Sequence, residues 1–302
     1  MLTVAYLGPE NTNAHVAAQA KFGKRADYLH APTIEDVFHL VERRKADYGV
    51  VPIENSLEGA VTHTLDRFID FVDTPVSIHG EIEQPIQHAL FVHRGVKLED
   101  IQLVFSHPQA LAQCRQWLKK HLSRARPMET DSTAEAIQRM KKGGGEYYFT
   151  PISDRVTRQL AIEPQQRAAI ARPEFSKDKD LEMILIPDMR ENKTRFLILG
   201  LGEPNKDKRN NKTSILFALK DKPGALHDAL VPFKKNKINL TKIESRPSKR
   251  KAWEYVFFID IAGHESDAPV VRALNALERS TSVVRVLGSY PVAVRKKGSA
   301  GA

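Results

Sequence analysis

Asp47-Tyr48-Gly49-Val50-Val51-Pro52-Ile53 runs straight into Glu54-Asn55-Ser56-Leu57-Glu58-Gly59. An apolar, β-prone run that hands polar side chains to the start of the next helix is a strand-to-helix junction. The helix after it carries Val61, Leu65, Phe68 and Ile69 on its inner face. Upstream, Thr33-Ile34-Glu35-Asp36 opens another helix, with Val37, Leu40 and Val41 at i, i+3, i+4. Earlier still, a short apolar strand over residues 3–7 ends at the turn signal Gly8-Pro9. Glu10-Asn11-Thr12-Asn13-Ala14-His15 then leads into the helix-like Val16–Phe22, closed by Gly23. Two β-loop-α units this close together predict a parallel α/β sheet, and such sheets bind ligands at the carboxyl ends of their strands. The first junction suits an anion, because helix N-termini offer free N–H groups and a favourable dipole. The alternative there is that Thr12 or Asn13 simply caps the helix.

Downstream, Pro75–Ile82 and Gln87–Val92 read as strands. Leu103-Val104-Phe105 leads into Ser106-His107-Pro108-Gln109-Ala110-Leu111, with Pro108 in a first helical turn where its missing N–H costs nothing. Leu111, Cys114, Leu118 and Leu122 form the stripe of that helix, which makes Cys114 a packing residue. In Asp131-Ser132-Thr133-Ala134-Glu135 the Ser and Glu have capping-box spacing. Lys141-Lys142-Gly143-Gly144-Gly145 is a break, Ala168–Ala171 a buried strand or helix start, and Ser176–Asp180 an exposed charged run. Residues 146–166 carry no clear pattern. Asn192-Lys193-Thr194-Arg195-Phe196 then reads as a polar interruption between two strands, Ile184–Asp188 and Leu197–Gly200. It is either a hairpin turn with a surface arginine or a loop completing a pocket.

Glu203–Lys212 is polar and charged, a linker. Beyond it the pattern is strand Thr213–Leu219, a helix opened by Lys222-Pro223-Gly224-Ala225-Leu226-His227, strands Ile238–Ser245 and Trp253–Ile261, a helix near Pro269–Glu278, and strand Val283–Leu287. This β-α-β-β-α-β order predicts a ferredoxin-like domain.

The formal charge of +9 is concentrated in the last third: residues 205–302 hold 20 Lys+Arg against 9 Asp+Glu, while residues 1–204 hold 26 against 28. Basic residues interleaved with exposed aromatics are missing, as is any recognition-helix or zinc-finger pattern, so no nucleic-acid partner is expected. No run of 18 apolar residues predicts a membrane span. The single Cys114 rules out an intramolecular disulfide, which makes the cytoplasm the expected compartment.

Several of these junctions, in this order, resemble prephenate dehydratase: Tyr6-Leu7-Gly8-Pro9-Glu10, Val51–Gly59, Ser106–Cys114, Asp131–Ala134 and Asn192–Phe196. Residues 213–291 resemble an ACT regulatory domain, with Gly224-Ala225-Leu226-His227 and Glu244-Ser245-Arg246-Pro247 matching the segments that hold phenylalanine in that family. The resemblance implies decarboxylating dehydration of prephenate to phenylpyruvate in phenylalanine synthesis, under feedback by L-phenylalanine, in a homodimer or homotetramer. It also implies a dehydratase domain over 1–203, folded as two α/β lobes like a type II periplasmic binding protein with the site between them. Lobe 1 would comprise about 1–78 and 183–203, lobe 2 about 79–182. A linker (204–212), the ACT domain (213–291) and a basic flexible tail (292–302) would follow. No chorismate mutase segment precedes residue 1, so the monofunctional form is expected. Residues 146–166 read as an insertion of about fifteen residues relative to the family pattern.

The chemistry the resemblance implies needs neither metal nor cofactor. Prephenate aromatises on losing carboxylate and hydroxide, and a donor to the departing oxygen lowers the barrier. Thr194 stands at the family's key threonine position and is the expected donor, polarised by a neighbour. Thr12, Asn55 and Ser56 offer hydrogen bonds to substrate. Arg195 is either a cation for a substrate carboxylate or a structural clamp, and Phe196 either walls the pocket or belongs to the core. His107 reads as a helix start before it reads as an acid. Asn13 and Ala14 stand where the family usually has an aromatic and a hydroxyl residue, which leaves that wall of the pocket open. Arogenate as substrate, or a non-catalytic amino-acid sensor, are the alternatives.

Overall fold

The structure, a computed structural model, describes residues 1–10, 12–70, 73–143, 146–153, 156–173, 178–186, 192–202, 211–220, 222–248 and 254–293, and of 146–161 the strands alone. Most of the linker 204–212 and of the tail 292–302 lies outside the described residues. The chain divides into two units, Met1–Gln84 with Lys193–Ala302, and Pro85–Asn192.

In chain order the first unit begins β1 (Thr3–Leu7), α1 (Asn13–Phe22), β2 (Asp27–Ala31), α2 (Ile34–Glu42), β3 (Tyr48–Asn55), β4 (Gly59–Ala60), α3 (Thr62–Asp70) and β5 (Val76–Pro85). The second unit contributes β6 (His88–His93), β7 (Leu103–Ser106), α4 (Pro108–Gln113), α5 (Arg115–His121), β8 (Arg126–Glu129), α6 (Thr133–Lys141), β9 (Glu146–Ser153), β10 (Val156–Ile162), β11 (Arg167–Ala171) and β12 (Leu181–Ile186). The chain re-enters the first unit as β13 (Lys193–Leu201) and continues through β14 (Asn211–Ala218), α7 (Ala225–Lys235), β15 (Leu240–Pro247), β16 (Tyr255–Ala262), α8 (Ala268–Ser280) and β17 (Val283–Pro291).

The helix starts obey local chemistry. Thr33 Oγ1 accepts from Asp36 N at 3.1 Å at the head of α2, and Ser132 Oγ accepts from Glu135 N at 3.1 Å at the head of α6. Glu135 returns its bond to Asp131 N, at 2.9 Å, one residue earlier than the usual capping box. The expected single helix through Leu111 and Leu118 is broken at Cys114 into α4 and α5, and Cys114 is buried as packing.

The first unit's main sheet has the order β2-β1-β3-β13-β5. β1 pairs parallel to β2 and β3, and β13 pairs antiparallel to β3. One face packs α1 through Val4, Tyr6, Ala14, Ala17, Val50 and Phe196. The other belongs to a larger core holding Val37 and Val41 of α2 and Leu65 and Phe68 of α3. β13 is one continuous strand, which corrects the reading of Asn192–Phe196 as an interruption. Its polar start is tolerated because Lys193, Thr194 and Arg195 all bond to side chains of the segment Glu54–Ser56.

The second unit has the order β12-β6-β11-β7-β8, with β11 and β7 parallel and β6 antiparallel to β11. α4 and α5 cover one face of this sheet and α6 the other. β9 and β10 pair antiparallel with each other, Glu146 opposite Ile162.

The last six elements are the expected βαββαβ domain, with sheet order β15-β16-β14-β17. One sheet face packs α7 and α8 through Phe217, Ile259, Phe233 and Leu277. The other, through Leu216, Val256, Phe258, Leu287 and Tyr290, joins the core of the first sheet beside Leu65, Phe68, Ile69 and Ile78. β14 begins at Asn211, earlier than its polar residues suggest, because Lys212 is buried against Glu81 at 2.8 Å. β17 runs on to Pro291, past the expected end at Leu287. Among the described residues no helix is long and apolar enough to cross a membrane.

Candidate active site

Antiparallel pairing sets Thr194 opposite Asn55 and Arg195 opposite Glu54. Asn55 Nδ2 donates to Thr194 Oγ1 at 3.0 Å. The amide is oriented by its other end, where Oδ1 accepts from Leu57 N at 3.0 Å and Glu58 N at 3.2 Å. An oxygen holding two N–H donors leaves the NH2 group to face Thr194. The Thr194 oxygen therefore accepts, and its own hydrogen is left to donate; among the described residues nothing takes it. Ser56 closes the pair from the other side, its Oγ accepting from Lys193 N at 3.0 Å and its N–H donating to Lys193 O at 2.9 Å.

Side chains alternate faces along a strand. Thr194 and Asn55 share one face of the β3–β13 pair, and Arg195 and Glu54 share the other. Arg195 Nη1 lies 3.1 Å from Glu54 and 3.9 Å from Asp260, and its Nε lies 3.7 Å from Glu81. Burial pulls the guanidinium pKa down, but Glu81, Glu54 and Asp260 outweigh it and hold the value above the ordinary one. The structure does not bring Arg195 to the hydroxyl of Thr194. Phe196 is 2% exposed, in the core under α1. Thr12 is the N-cap of α1: its Oγ1 accepts from His15 N at 3.3 Å and donates to Leu7 O at 2.9 Å. Of the expected substrate contacts, Asn55 and Ser56 meet the Thr194 segment through direct hydrogen bonds, whereas Thr12 ties β1 to α1.

In the second unit, His107 caps α4, its Nδ1 accepting from Gln109 N at 3.3 Å.

The expected effector segments lie at one end of the βαββαβ sheet. Gly224, at φ +78°, makes the left-handed turn into α7, whose first residues are Ala225, Leu226 and His227. Glu244, Ser245, Arg246 and Pro247 end β15. β14 and β15 both pair antiparallel to β16 and so run the same way, which puts the start of α7 and the end of β15 at one edge. Ser245 and Pro247 are exposed, while Lys242, Glu244 and Arg246 alternate onto the face toward the first sheet. Arg246 is bound there to Asp66 of α3.

Sequence reasoning passed over the ions that surround Arg195. Lys212 Nζ lies 2.8 Å from Glu81 and 3.8 Å from Asp260, and Lys242 Nζ lies 3.4 Å from Glu54. Burial pushes the Asp260 carboxyl pKa up, opposed by Lys212 and by the hydrogen bond from Ser214. The available signal was a lone Asp260 inside the apolar run Val256–Ala262, since a buried carboxylate demands a partner. Among the described residues no three of His, Cys, Asp and Glu are grouped to hold a metal.

Comparison with known proteins places the chain. The prephenate dehydratase family profile matches residues 4–204 and the ACT domain profile residues 213–279. A bifunctional chorismate mutase/prephenate dehydratase of Aquifex aeolicus is 43% identical over 295 residues, covering 97% of this chain and 74% of that protein. A prephenate dehydratase of Methanocaldococcus jannaschii is 36% identical over 300 residues, covering 96% and 98%. The crystal structure of prephenate dehydratase from Arthrobacter aurescens in complex with L-Phe superposes with a TM-score of 0.78 at 31% identity, covering 97% and 90%. The chain belongs to the prephenate dehydratase family and carries the ACT domain that its last six elements form.

Proposed function

We propose that this enzyme converts prephenate to phenylpyruvate, water and carbon dioxide, with Thr194 as the donor to the departing hydroxyl. The observation that carries the reading is the locked Asn55 amide, which donates to Thr194 Oγ1 at 3.0 Å and leaves the threonine hydrogen free for substrate. A threonine hydroxyl is too weak an acid to surrender its proton outright. As a hydrogen-bond donor it spreads the charge that builds on the leaving oxygen, and Asn55 draws electron density from the same oxygen. The electrons released with carbon dioxide close the aromatic ring, and the expelled hydroxide takes up one proton to become water. Asn55 and Ser56 hold the start of β13 for this role. Thr12, Arg195 and Phe196 support the site through the loop, the ion cluster and the core.

L-phenylalanine as effector at Gly224–His227 and Glu244–Pro247 belongs to the same proposal. It is supported by the ACT domain and by the relative solved with L-Phe. So do the domain limits 1–203 and 213–291, an assembly of two or four copies, and a cytoplasmic compartment, all of which rest on the family resemblance. Light scattering measures the assembly. Phenylpyruvate formation from prephenate, with and without L-phenylalanine, measures the function. Thr194→Ala is expected to lower turnover by about 10²-fold or more with little change in KM. Turnover like that of the unaltered enzyme removes Thr194 from the role.

A further inference from the structure

Thr194 and Arg195 are adjacent in sequence, yet their side chains leave the β3–β13 pair in opposite directions. The Arg195 face is the one on which the ACT sheet sits. Glu54 is shared there by two cations: Arg195 of its own sheet at 3.1 Å, and Lys242 of β15 at 3.4 Å. Lys212 and Asp260 extend the cluster to Glu81. Lys242 also lies 3.9 Å from Glu244 of its own strand, so three cations face four carboxylates, and the Lys242 side chain is only 8% exposed. Removing one ion from so enclosed a set leaves another uncompensated, and the remainder must rearrange.

The residue after Glu54 is Asn55, which holds Thr194. Immediately beyond Arg195 the β3–β13 register shifts by one residue at a bulge, with paired residues on either side, so the ladder is locally interrupted there. The ion pairs of Glu54 with Arg195 and Lys242 lie directly beside that bulge.

We propose that Lys242 of the ACT sheet is a positioning residue for Thr194, acting through Glu54 and the β3–β13 register. Lys242 lies two residues before Glu244, on the same face of β15. On the reading that Glu244–Pro247 holds the amino-acid effector, displacement of β15 reaches Thr194 by way of this lysine.

Kinetics and L-phenylalanine calorimetry on the full chain test this with Lys242→Met, Lys242→Arg, Glu54→Gln and the Lys242→Met/Glu54→Gln double variant. Lys242→Met is expected to lower kcat about 5–20-fold while KM stays within about twofold, and Lys242→Arg to recover kcat to within about twofold. In the Glu54→Gln background, Lys242→Met should change kcat by less than about twofold, because the lysine works through that carboxylate. An unchanged kcat in Lys242→Met, or effects that multiply in the double variant, overturns the proposal. Should Lys242→Met not fold, Lys242→Gln, which keeps a donor, is read the same way. Lys242→Met should still bind L-phenylalanine within about threefold while losing about tenfold or more of the inhibition. Undiminished inhibition, or lost binding, overturns the link to the effector. If the unaltered enzyme itself neither binds nor responds to L-phenylalanine, the effector reading fails, and the kcat comparison still decides the positioning role.

Discussion

Arg246 grips Asp66 with both arms of its guanidinium, Nε to Oδ1 at 2.9 Å and Nη2 to Oδ2 at 3.2 Å. The pair fastens the end of β15 to α3, so a residue of the expected effector segment is already engaged with the catalytic part of the chain. Arg246→Lys keeps the charge and loses the two-pronged geometry. It is expected to cost about 1 kcal/mol in denaturant unfolding and to weaken inhibition by L-phenylalanine. Stability and inhibition both unchanged would show that the clasp is incidental.

Gly288 of β17 lies flat against β5: a Cβ added there would fall 2.2 Å from Ile78 O and 3.0 Å from Ile78 C. Both obstacles are backbone, so they cannot swing aside. Arg285 Nη2 donates beside this contact to Thr74 O and Val76 O, each at 2.8 Å. Gly288→Ala is expected to lower stability by about 1–3 kcal/mol and to loosen Arg285 with it. A melting temperature unchanged by the substitution would contradict the close approach.

Asn55→Asp reverses the polarity at Thr194. A carboxylate only accepts, so the threonine hydrogen would turn toward residue 55 and away from substrate. Turnover should fall about 10²-fold, with KM changed far less. Stopped-flow or steady-state assays settle this, and an active Asn55→Asp enzyme would refute the assigned direction of the bond.

His88 predicts an acid limb of stability. Its Nε2 lies 2.8 Å from Gln113 Oε1, which can only accept, so the hydrogen sits on Nε2. Gln113 Oε1 also takes Asn192 Nδ2 at 3.2 Å. Nδ1 of His88 is buried and has no hydrogen-bond partner among the described residues. Burial pulls the His88 pKa below its ordinary 6.5, Gln113 opposes this, and Arg172 adds to it. Below 6.5 the unfolded chain takes up a proton that the folded chain resists. The stability tied to neutral His88 is complete above 6.5 and is lost as pH falls through the lowered value. Unfolding free energies at about pH 7 and about pH 5 should therefore converge in His88→Asn relative to the unaltered chain. An equal loss in both would assign the acid limb elsewhere.

The helix starts at Thr33 and Ser132 were legible because a cap is decided by residues within one turn, whereas Asn55, which reads as leading straight into a helix, opens the turn between β3 and β4, and α3 begins only at Thr62. The βαββαβ order was legible for the same local reason. What escaped was facing. Thr194 and Arg195 read as two donors to one pocket only while Asn192–Phe196 was taken for a loop. Once Lys193–Leu201 is a strand, alternation separates them, and only the pairing with a segment almost 140 positions away makes it a strand. Lys212 looked like linker, because the carboxylate that buries it, Glu81, is equally remote in sequence. Residues 146–166 gave no pattern, and β9 and β10 within them pair with each other, apart from either main sheet.

The ACT sheet packs both of its faces, and the one that carries the ions also completes the core of the catalytic sheet through the Phe68–Phe258 contact, with ring centroids 6.5 Å apart. Severing the chain before Asn211 would uncover Leu65, Phe68, Ile69 and Ile78 and leave Glu81 without Lys212. Such a fragment would be a sticky, strained protein, not a catalyst freed from its brake. Release from feedback in this architecture has to be sought by single substitutions in the contacts between the two sheets, with both sheets kept in place.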